Sequence, residues 1–170
     1  MIRTFVAIDI DEKDIVSKLT EIQRALTKTS ASLKLVEPEN IHITLYFLGE
    51  IPEPSLRYVR EIVEECITGV PKFAITIGGV GAFPTPKRPR VIWVGITKNA
   101  ETIESIASCL YKNFPRRGFR AETKKFHAHI TLARVKRYTP QLKDVIHRLS
   151  SIEIGEFLVE QVKVKKSTLT

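Results

Sequence analysis

The chain has 170 residues, a formal net charge of +8 and two cysteines. This length fits one domain, or two small lobes with a shared core, and needs no disulfide or metal to bury an apolar interior. The sequence has no apolar run of about 18 residues and no basic start followed by a long apolar run, so neither a membrane span nor a secretory signal is predicted. The positive charge favours anionic partners such as nucleic acid. Asn and Gln are scarce, with three of each, which leans toward a thermophilic source.

The first half of the chain alternates strand and helix patterns. Residues 3–9 form a short apolar, β-branched run, which predicts a buried strand. Residues 12–27 carry apolar side chains at helical spacing, and Asp11 is the predicted N-cap. A second amphipathic helix is predicted over residues 53–66, with Pro54 in its first turn. A strand-like run over residues 72–80 follows this helix.

The second half repeats the pattern of the first. At an offset of 87 residues, residues 90–96 fall on residues 3–9. At the same offset, residues 99–114 fall on residues 12–27, and Asn99 is the predicted N-cap of this second helix. The chain is therefore interpreted as an internal duplication.

The rest of the second half completes the duplication. Pro140 begins a predicted helix over residues 140–149, and a strand-like run over residues 155–165 follows. Each half reads strand, helix, strand, strand, helix, strand, which is the split β-α-β order. The sequence predicts an α+β fold with antiparallel sheets that line a central cleft. It forms one bilobal domain, whose halves (roughly residues 1–82 and 90–170) are related by an approximate two-fold axis.

The segment between the halves and the two cysteines have less specific patterns. Residues 83–90 contain three prolines, which predicts a stiff, extended interlobe linker, with contact to a substrate as the alternative. Cys66 and Cys109 lie far apart in helix-like segments. The interpretation is two buried, reduced thiols in a cytosolic protein.

One tetrapeptide, His-Ile-Thr-Leu, occurs twice, at His42–Leu45 and at His129–Leu132. In a β-strand, residues i and i+2 point to the same face, roughly 6–7 Å apart along the strand. Each copy therefore presents one imidazole beside one hydroxyl, while its Ile and Leu face the core. If a two-fold axis relates the halves, two imidazoles and two hydroxyls surround one small anionic group.

This constellation suits phosphoryl transfer. Two histidines can act as acid and base in one turnover, because their charge changes near neutral pH. One imidazole removes a proton from the attacking oxygen, and the other gives a proton to the leaving oxygen. The equatorial phosphoryl oxygens need fixed donors, and Thr44 and Thr131 are placed to supply them. The scheme requires no metal and no other cofactor.

The flanks of the two tetrapeptides extend the pattern over essentially the whole chain. With these flanks, the sequence resembles the two-histidine phosphoesterases and, among them, the RNA 2′,3′-cyclic phosphodiesterases, also called 2′-5′ RNA ligases. The segments that carry the resemblance are Phe5–Ile8, Asn40–Gly49 and His129–Val135. The resemblance implies hydrolysis of a terminal RNA 2′,3′-cyclic phosphate to a 2′-phosphate without metal or ATP, and in some members a reversible 2′-5′ ligation. The implied partner is RNA with such an end, for example tRNA halves, and we expect a cytoplasmic monomer.

The resemblance also assigns roles to individual residues. By carry-over, His42 corresponds to the proton donor, His129 to the proton acceptor and Arg134 to an arginine that binds substrate phosphate. Simple alternation puts Arg134 on the face opposite Thr131, so a strand end or a bulge is required. Members of the family usually continue past residues 166–170 into a final strand, so we expect an unpaired strand edge where this chain ends.

Two other functions are compatible with parts of the sequence. His127 and His129 have the spacing of metal ligands on one strand face, and with His42 they could form a three-histidine zinc site. Alternatively, the chain is a non-catalytic RNA-binding module, because aromatic residues flank its basic clusters. These clusters are Arg116–Arg117, Arg120, Lys124–Lys125 and Arg134–Arg137, and the aromatic residues are Phe126 and Tyr138.

Overall fold

A computed structural model describes residues 1–168 of the chain. Its strands are β1 (Ile2–Asp9), β2 (Ser32–Leu35), β3 (His42–Ile51), β4 (Phe73–Thr85), β5 (Arg88–Lys98), β6 (His129–Arg137), β7 (Glu153–Val159) and β8 (Lys163–Lys166). Its α-helices are α1 (Lys13–Thr27), α2 (Leu56–Ile67), α3 (Ala100–Arg116) and α4 (Pro140–Arg148). Short 3₁₀ turns at Pro38–Asn40 and Glu53–Ser55 precede β3 and α2. The predicted α+β class with antiparallel sheets is confirmed.

The strands form one antiparallel sheet in the order β7-β4-β5-β6-β3-β1-β8, and β2 also pairs with β6. Six interstrand spacings of about 4.8 Å would put the edges of a flat sheet about 29 Å apart. However, only residues 160–162 separate β7 from β8, and the four Cα steps from Val159 to Lys163 span at most about 14 Å. The sheet must therefore curve strongly, so that its two edges approach each other.

The strands β3 and β6 share fewer register partners than any other pair of neighbouring strands in the described part of the chain. The only register partners between these strands in residues 1–168 are Ile43 and Ile130. On one side of this bridge lie β3, β1 and β8, and on the other lie β6, β2, β5, β4 and β7. The bridge thus joins two parts of the sheet, and the face that carries the polar residues of both tetrapeptides is called the cleft face, or cleft, below.

The helices pack on the two parts of the sheet in pairs. α2 packs against α3, which covers β3, while α1 and α4 contact each other and lie on β7 and β4. The predicted apolar faces of α1 and α3 are buried. Their buried residues are Ile15, Leu19, Ile22 and Leu26 in α1, and Ile103, Ile106, Leu110 and Phe114 in α3. No helix within residues 1–168 is both long and apolar enough to cross a membrane.

Several local predictions need correction. Glu12, and not Asp11, caps α1, because its carboxylate accepts hydrogen bonds from the backbone N–H groups of Asp14 and Ile15. Asn99 does occupy the N-cap of α3, in a left-handed conformation (φ 63°). Residues 83–90 are the tip of the β4–β5 hairpin and not an extended linker.

The order of elements in the second half also differs in detail from the prediction. Residues 117–128 form no strand. The run over residues 155–165 is divided into β7 and β8, which pair with β4 and β1 at opposite edges of the sheet. Hydrophobic alternation predicts each strand but not the partner, so the break at residues 160–162 was missed. The last two residues, where an unpaired edge was expected, lie outside the described part of the chain.

The interpretation of the cysteines as reduced thiols is wrong. Cys66 and Cys109 form a disulfide, with their Cα atoms 5.6 Å apart. Their placement in helices α2 and α3 is confirmed. The sequence predicts both helices but does not show that they pack side by side, and this packing brings the two sulfur atoms together.

The disulfide is expected to contribute to stability. It closes a loop of 43 residues, for which chain entropy gives a stabilisation of up to about 4 kcal/mol. Replacing both cysteines (Cys66→Ser with Cys109→Ser) should therefore lower the midpoint of guanidinium unfolding, and dithiothreitol should lower the wild-type midpoint similarly. Dithiothreitol should not change the midpoint of the double variant, which serves as the control. Equal midpoints for the wild type with and without reductant would contradict the prediction.

Candidate active site

The two tetrapeptides begin the two strands that meet at the bridge. His42 is the first residue of β3 and His129 is the first residue of β6. Ile43 and Ile130 pair directly, and both are fully buried. The histidines and threonines therefore lie on the opposite face, which lines the cleft.

The antiparallel register interleaves the two motifs. With Ile43 opposite Ile130, His42 lies opposite Thr131 and Thr44 lies opposite His129. The two histidines are then diagonal neighbours, whose separation in such a pair is roughly 7–8 Å. The register thus places all four predicted residues next to one another on the same face of β3 and β6.

The strands beside the motifs differ between the two lobes. On β1, Asp9 pairs with His42 and Ala7 pairs with Thr44. On β5, Gly95 pairs with His129 and Trp93 pairs with Thr131. The identical motifs therefore lie in different surroundings, with a carboxylate beside His42 and an indole beside Thr131.

The sequence alignment of β1 with β5 is displaced by one residue in the structure. Ile8 pairs with Ile43, and Val94 pairs with Ile130. The structural counterpart of Ile8 is thus Val94, at an offset of 86 residues, whereas the alignment predicted an offset of 87.

His42 is half-buried and contacts one aromatic ring. The ring of Phe5 is 5.1 Å from its imidazole, centroid to centroid. Its Nδ1 atom is buried and lies outside hydrogen-bond geometry with any partner in residues 1–168, although the backbone of Asn40 is close enough to favour protonation. Burial lowers the pKa of His42, the nearby Lys165 ammonium lowers it further, and Asn40 and Asp9 oppose both effects.

A charged cluster that the sequence did not reveal lies beside His42. β8 pairs with β1 so that Lys163 is opposite Ala7 and Lys165 is opposite Phe5. Both lysines donate to the carboxylate of Asp9, and Lys163 Nζ is 3.0 Å from Oδ2. Partial burial raises the pKa of Asp9, but the hydrogen bonds from the two lysines outweigh this effect and hold the pKa below its usual value. Because β8 joins the sheet 154 residues after Asp9, no local pattern could have predicted the cluster.

His129 is held in a defined orientation. Its Nδ1 atom is 2.6 Å from the carbonyl oxygen of His127, and the ring of Phe83 contacts it edge-on at 5.1 Å between centroids. An Nδ1–H that donates to this carbonyl leaves Nε2 as the free nitrogen of the neutral ring. Burial lowers the pKa of His129, the hydrogen bond to the His127 backbone raises it, and the charge of the His127 ring lowers it.

Arg134 reaches the cleft face because β6 contains a bulge. Trp93 pairs with Thr131, but the next partners are Ile92 and Ala133, so Leu132 is an extra residue on β6. Both Leu132 and Ala133 are buried. The alternation is thereby reset, and Arg134 lies on the same face as Thr131. This is the bulge that the sequence required for a role of Arg134 in the site.

Aromatic rings form the wall beside His129. Phe83, Trp93 and His127 are in mutual contact, with centroid distances of 4.9 to 5.3 Å. The indole lies over Gly81, where a Cβ atom would be 2.4 Å from the ring. The hairpin tip predicted as a linker thus supplies Phe83 to the site.

In residues 1–168 no three His, Cys, Asp or Glu side chains are placed to share a metal ion, and His127 packs in this aromatic wall.

The basic clusters predicted as an RNA-binding surface are partly used within the protein. Arg117 forms an ion pair with Glu61 at 3.4 Å, and Arg120 forms one with Glu122 at 3.3 Å. Arg137 donates to the backbone oxygen of Ser30. Of the aromatic residues, Phe126 packs against the core, whereas Tyr138 is 39% exposed.

The arrangement is suited to acid–base chemistry on a phosphoryl group. Burial makes both imidazoles release protons more readily than in water, while an anion between them would favour their protonated forms. The two threonine hydroxyls can donate to anionic oxygens between the rings.

The charge of Lys165 is expected to set the pKa of His42. Replacing Lys165 with Gln removes a cation that disfavours the imidazolium, so the pKa of His42 should rise. A histidine titration followed by NMR measures this, with His42→Ala for assignment. Lys166→Gln is the matched control, because Lys166 pairs with Thr4 on the other face of the same strand. An unchanged or lowered pKa of His42 in Lys165→Gln would refute this coupling.

Comparisons with known proteins give consistent results. The family model described as LigT like Phosphoesterase matches twice, at residues 8–93 and 94–170, so each match contains one tetrapeptide. The RNA 2′,3′-cyclic phosphodiesterase of Archaeoglobus fulgidus is 42% identical over 168 residues, which cover 99% of this chain and 92% of that protein. The RNA 2′,3′-cyclic phosphodiesterase of Methanothermobacter thermautotrophicus is 39% identical, with 99% and 91% covered.

Solved structures share the fold. TT0787 of Thermus thermophilus is 28% identical, with a TM-score of 0.76, and the match covers 99% of this chain and 90% of that one. E. coli LigT complexed with 3′-AMP superposes with a TM-score of 0.78 at 23% identity and the same coverage. At this level of identity, the similarity to LigT concerns the fold alone.

Proposed function

Because the chain belongs to the LigT-like phosphoesterase family, we propose that it is an RNA 2′,3′-cyclic phosphodiesterase that opens the terminal cyclic phosphate to a 2′-phosphate. The single observation that carries the proposal is the register at Ile43 and Ile130. This register supports the proposal because it puts the two histidines and two threonines on one face of the two neighbouring strands. The names of the relatives in Archaeoglobus and Methanothermobacter support the same substrate.

In the proposed reaction, water attacks the phosphorus in line with the bond to the 3′ oxygen. His129 takes a proton from the water, and His42 gives a proton to the 3′ oxygen as the P–O bond breaks. The hydrogen bond from His129 Nδ1 to the His127 carbonyl supports this division, because it leaves Nε2 free to accept a proton. Burial and the Lys165 charge make the His42 imidazolium a stronger acid, which suits a proton donor.

The remaining site residues would stabilise the transition state. Thr44 and Thr131 donate hydrogen bonds to the equatorial oxygens, and Arg134, on the same face as Thr131, offsets their negative charge. No step uses a metal ion or a nucleotide triphosphate. With an RNA 5′-hydroxyl in place of water, the same ring opening joins two RNA ends through a 2′-5′ linkage: the 5′ oxygen bonds to phosphorus, its proton goes to His129, and His42 protonates the departing 3′ oxygen.

The substrate is proposed to be an RNA strand, such as a tRNA half, and the protein is proposed to act as a cytoplasmic monomer. DNA cannot form the cyclic phosphate because it lacks the 2′-hydroxyl, so it can bind but not react. A non-catalytic RNA-binding module is the second candidate, and it is favoured only by the exposed basic segments. Turnover separates the two functions.

The activity is tested with a short RNA that ends in a 2′,3′-cyclic phosphate. We expect turnover without ATP and in the presence of EDTA, and a product that keeps its phosphate when treated with a 3′-specific phosphatase. Phosphorus NMR of the product provides an independent assignment. A 3′-phosphate product would reverse the roles of the two histidines relative to the ribose. Activity that is lost in EDTA and restored by zinc would favour a metal-dependent hydrolase, and binding without turnover would favour the RNA-binding module.

Single histidine variants test the mechanism. His42→Ala or His129→Ala should each reduce kcat by roughly 10²–10⁴, because acid and base act in the same transition state. Thr44→Ala and Thr131→Ala should lose less, since each removes one neutral hydrogen bond. Circular dichroism and the unfolding midpoint control for correct folding. Near wild-type turnover in either histidine variant would exclude a two-histidine mechanism.

A further inference from the structure

Two cations lie directly opposite each other on the cleft face of the sheet. Lys34 on β2 pairs with Arg134 on β6. The neighbours of Lys34 in the strand, Leu33 and Leu35, pack against the core, so Lys34 points to the other side. Both cations are exposed.

This pair is on the same side of the sheet as the candidate active site. Arg134 also pairs with Val91 on β5, two residues before Trp93, which is the partner of Thr131. Three residue-to-residue steps lead from Thr131 to Arg134, a distance of at most roughly 10 Å, which the bulge shortens. Lys34, on the neighbouring strand β2, therefore lies beyond Arg134 when the sheet is followed away from the four motif residues.

The two cations have no counterion among the described residues. None of the ion pairs formed by residues 1–168 involves Lys34 or Arg134. Like charges directly opposite each other in a sheet destabilise it. By contrast, the two lysines on β8 share the carboxylate of Asp9. An external anion is the simplest group that offsets the repulsion between Lys34 and Arg134.

The geometry points to a second anion subsite in which Lys34, beside Arg134 on the side away from the motif residues, binds the phosphodiester that joins the terminal nucleotide of the RNA to its neighbour. The inference rests on the proposed function, because it assumes that the terminal phosphate lies between the histidines. In such a substrate, the next phosphate is attached to the 5′ oxygen of the same ribose, one sugar away from the cyclic phosphate. Arg134 and Lys34 likewise lie a short distance from Thr131 along the cleft face.

Two small substrates isolate this contact. Adenosine 2′,3′-cyclic phosphate lacks the second phosphate, and its 5′-phosphorylated form differs only by having it. For the wild type, kcat/KM should be about tenfold higher for the phosphorylated substrate, as one charge-assisted contact provides. Lys34→Gln should reduce this advantage to less than threefold, mainly through KM, and Lys34→Arg should keep most of it.

Lys13→Gln is the matched control. Lys13 is an exposed lysine at the start of α1, outside the sheet. The control should keep the wild-type activity and the full advantage of the 5′-phosphate. Equal rates of the wild type on both substrates, or an equal loss on both substrates in Lys34→Gln, would overturn the subsite while leaving the proposed function intact. No turnover of either substrate or of the longer RNA by the wild type would instead reject the proposed function, and the subsite with it.

A binding measurement gives a readout that does not depend on turnover. The probe is a fluorescein-labelled RNA dinucleotide that ends in a 2′-phosphate, followed by anisotropy at several salt concentrations. The loss of one phosphate contact should reduce the slope of log affinity against log salt by about 0.7 for a single strand. Lys34→Gln should show this smaller slope, and Lys13→Gln should not. A slope unchanged in Lys34→Gln would contradict a contact between Lys34 and phosphate.

Discussion

The contact between Ile43 and Ile130 is the constraint on which the site depends. These two residues are fully buried, and they are the meeting point of the two parts of the sheet. Because side chains alternate with a period of two, a slip of one residue at this point would turn one motif into the core and its isoleucine into the cleft. The burial of two isoleucines thus fixes the placement of two imidazoles and two hydroxyls without any direct bond among the four polar groups.

The duplication produces a site whose two halves have the same reactive groups but different surroundings. A carboxylate that is itself held by two lysines lies beside His42, whereas a backbone carbonyl and two aromatic rings hold His129. Acid–base catalysis on one phosphate needs one proton donor and one acceptor at the same moment. Identical motifs cannot provide this difference, so it must come from the flanking strands, where the repeat has diverged.

Local sequence patterns were sufficient to predict most helices and strands. They were not sufficient to predict which elements become neighbours over long range. The apolar spacing of α1 and α3, and the shared face of His42 and Thr44, follow from periods of 3.6 and 2 within a few residues. The disulfide between Cys66 and Cys109, the bulge at Leu132 and the contact of β8 with Asp9 depend on which elements become neighbours. A sequence without aligned relatives carries no signal for such neighbours. The resemblance to a family supplied the role of Arg134, and only the bulge explained how its side chain reaches the cleft.

The distribution of unsatisfied groups separates stability from function in this fold. On the outer surfaces, charges are paired, as in Lys72 with Glu160 and Arg117 with Glu61. In residues 1–168, four buried side-chain atoms lie outside hydrogen-bond geometry with any partner, namely Arg3 Nε, His42 Nδ1, Trp93 Nε1 and Thr139 Oγ1, and Lys34 faces Arg134. Each of these features costs stability when the cleft is empty, since a buried polar group without a partner and opposed like charges are both unfavourable. Natural proteins violate such rules mainly at functional sites. The positions of His42, Trp93, Lys34 and Arg134 in and beside the two motif strands therefore support the proposed binding surface.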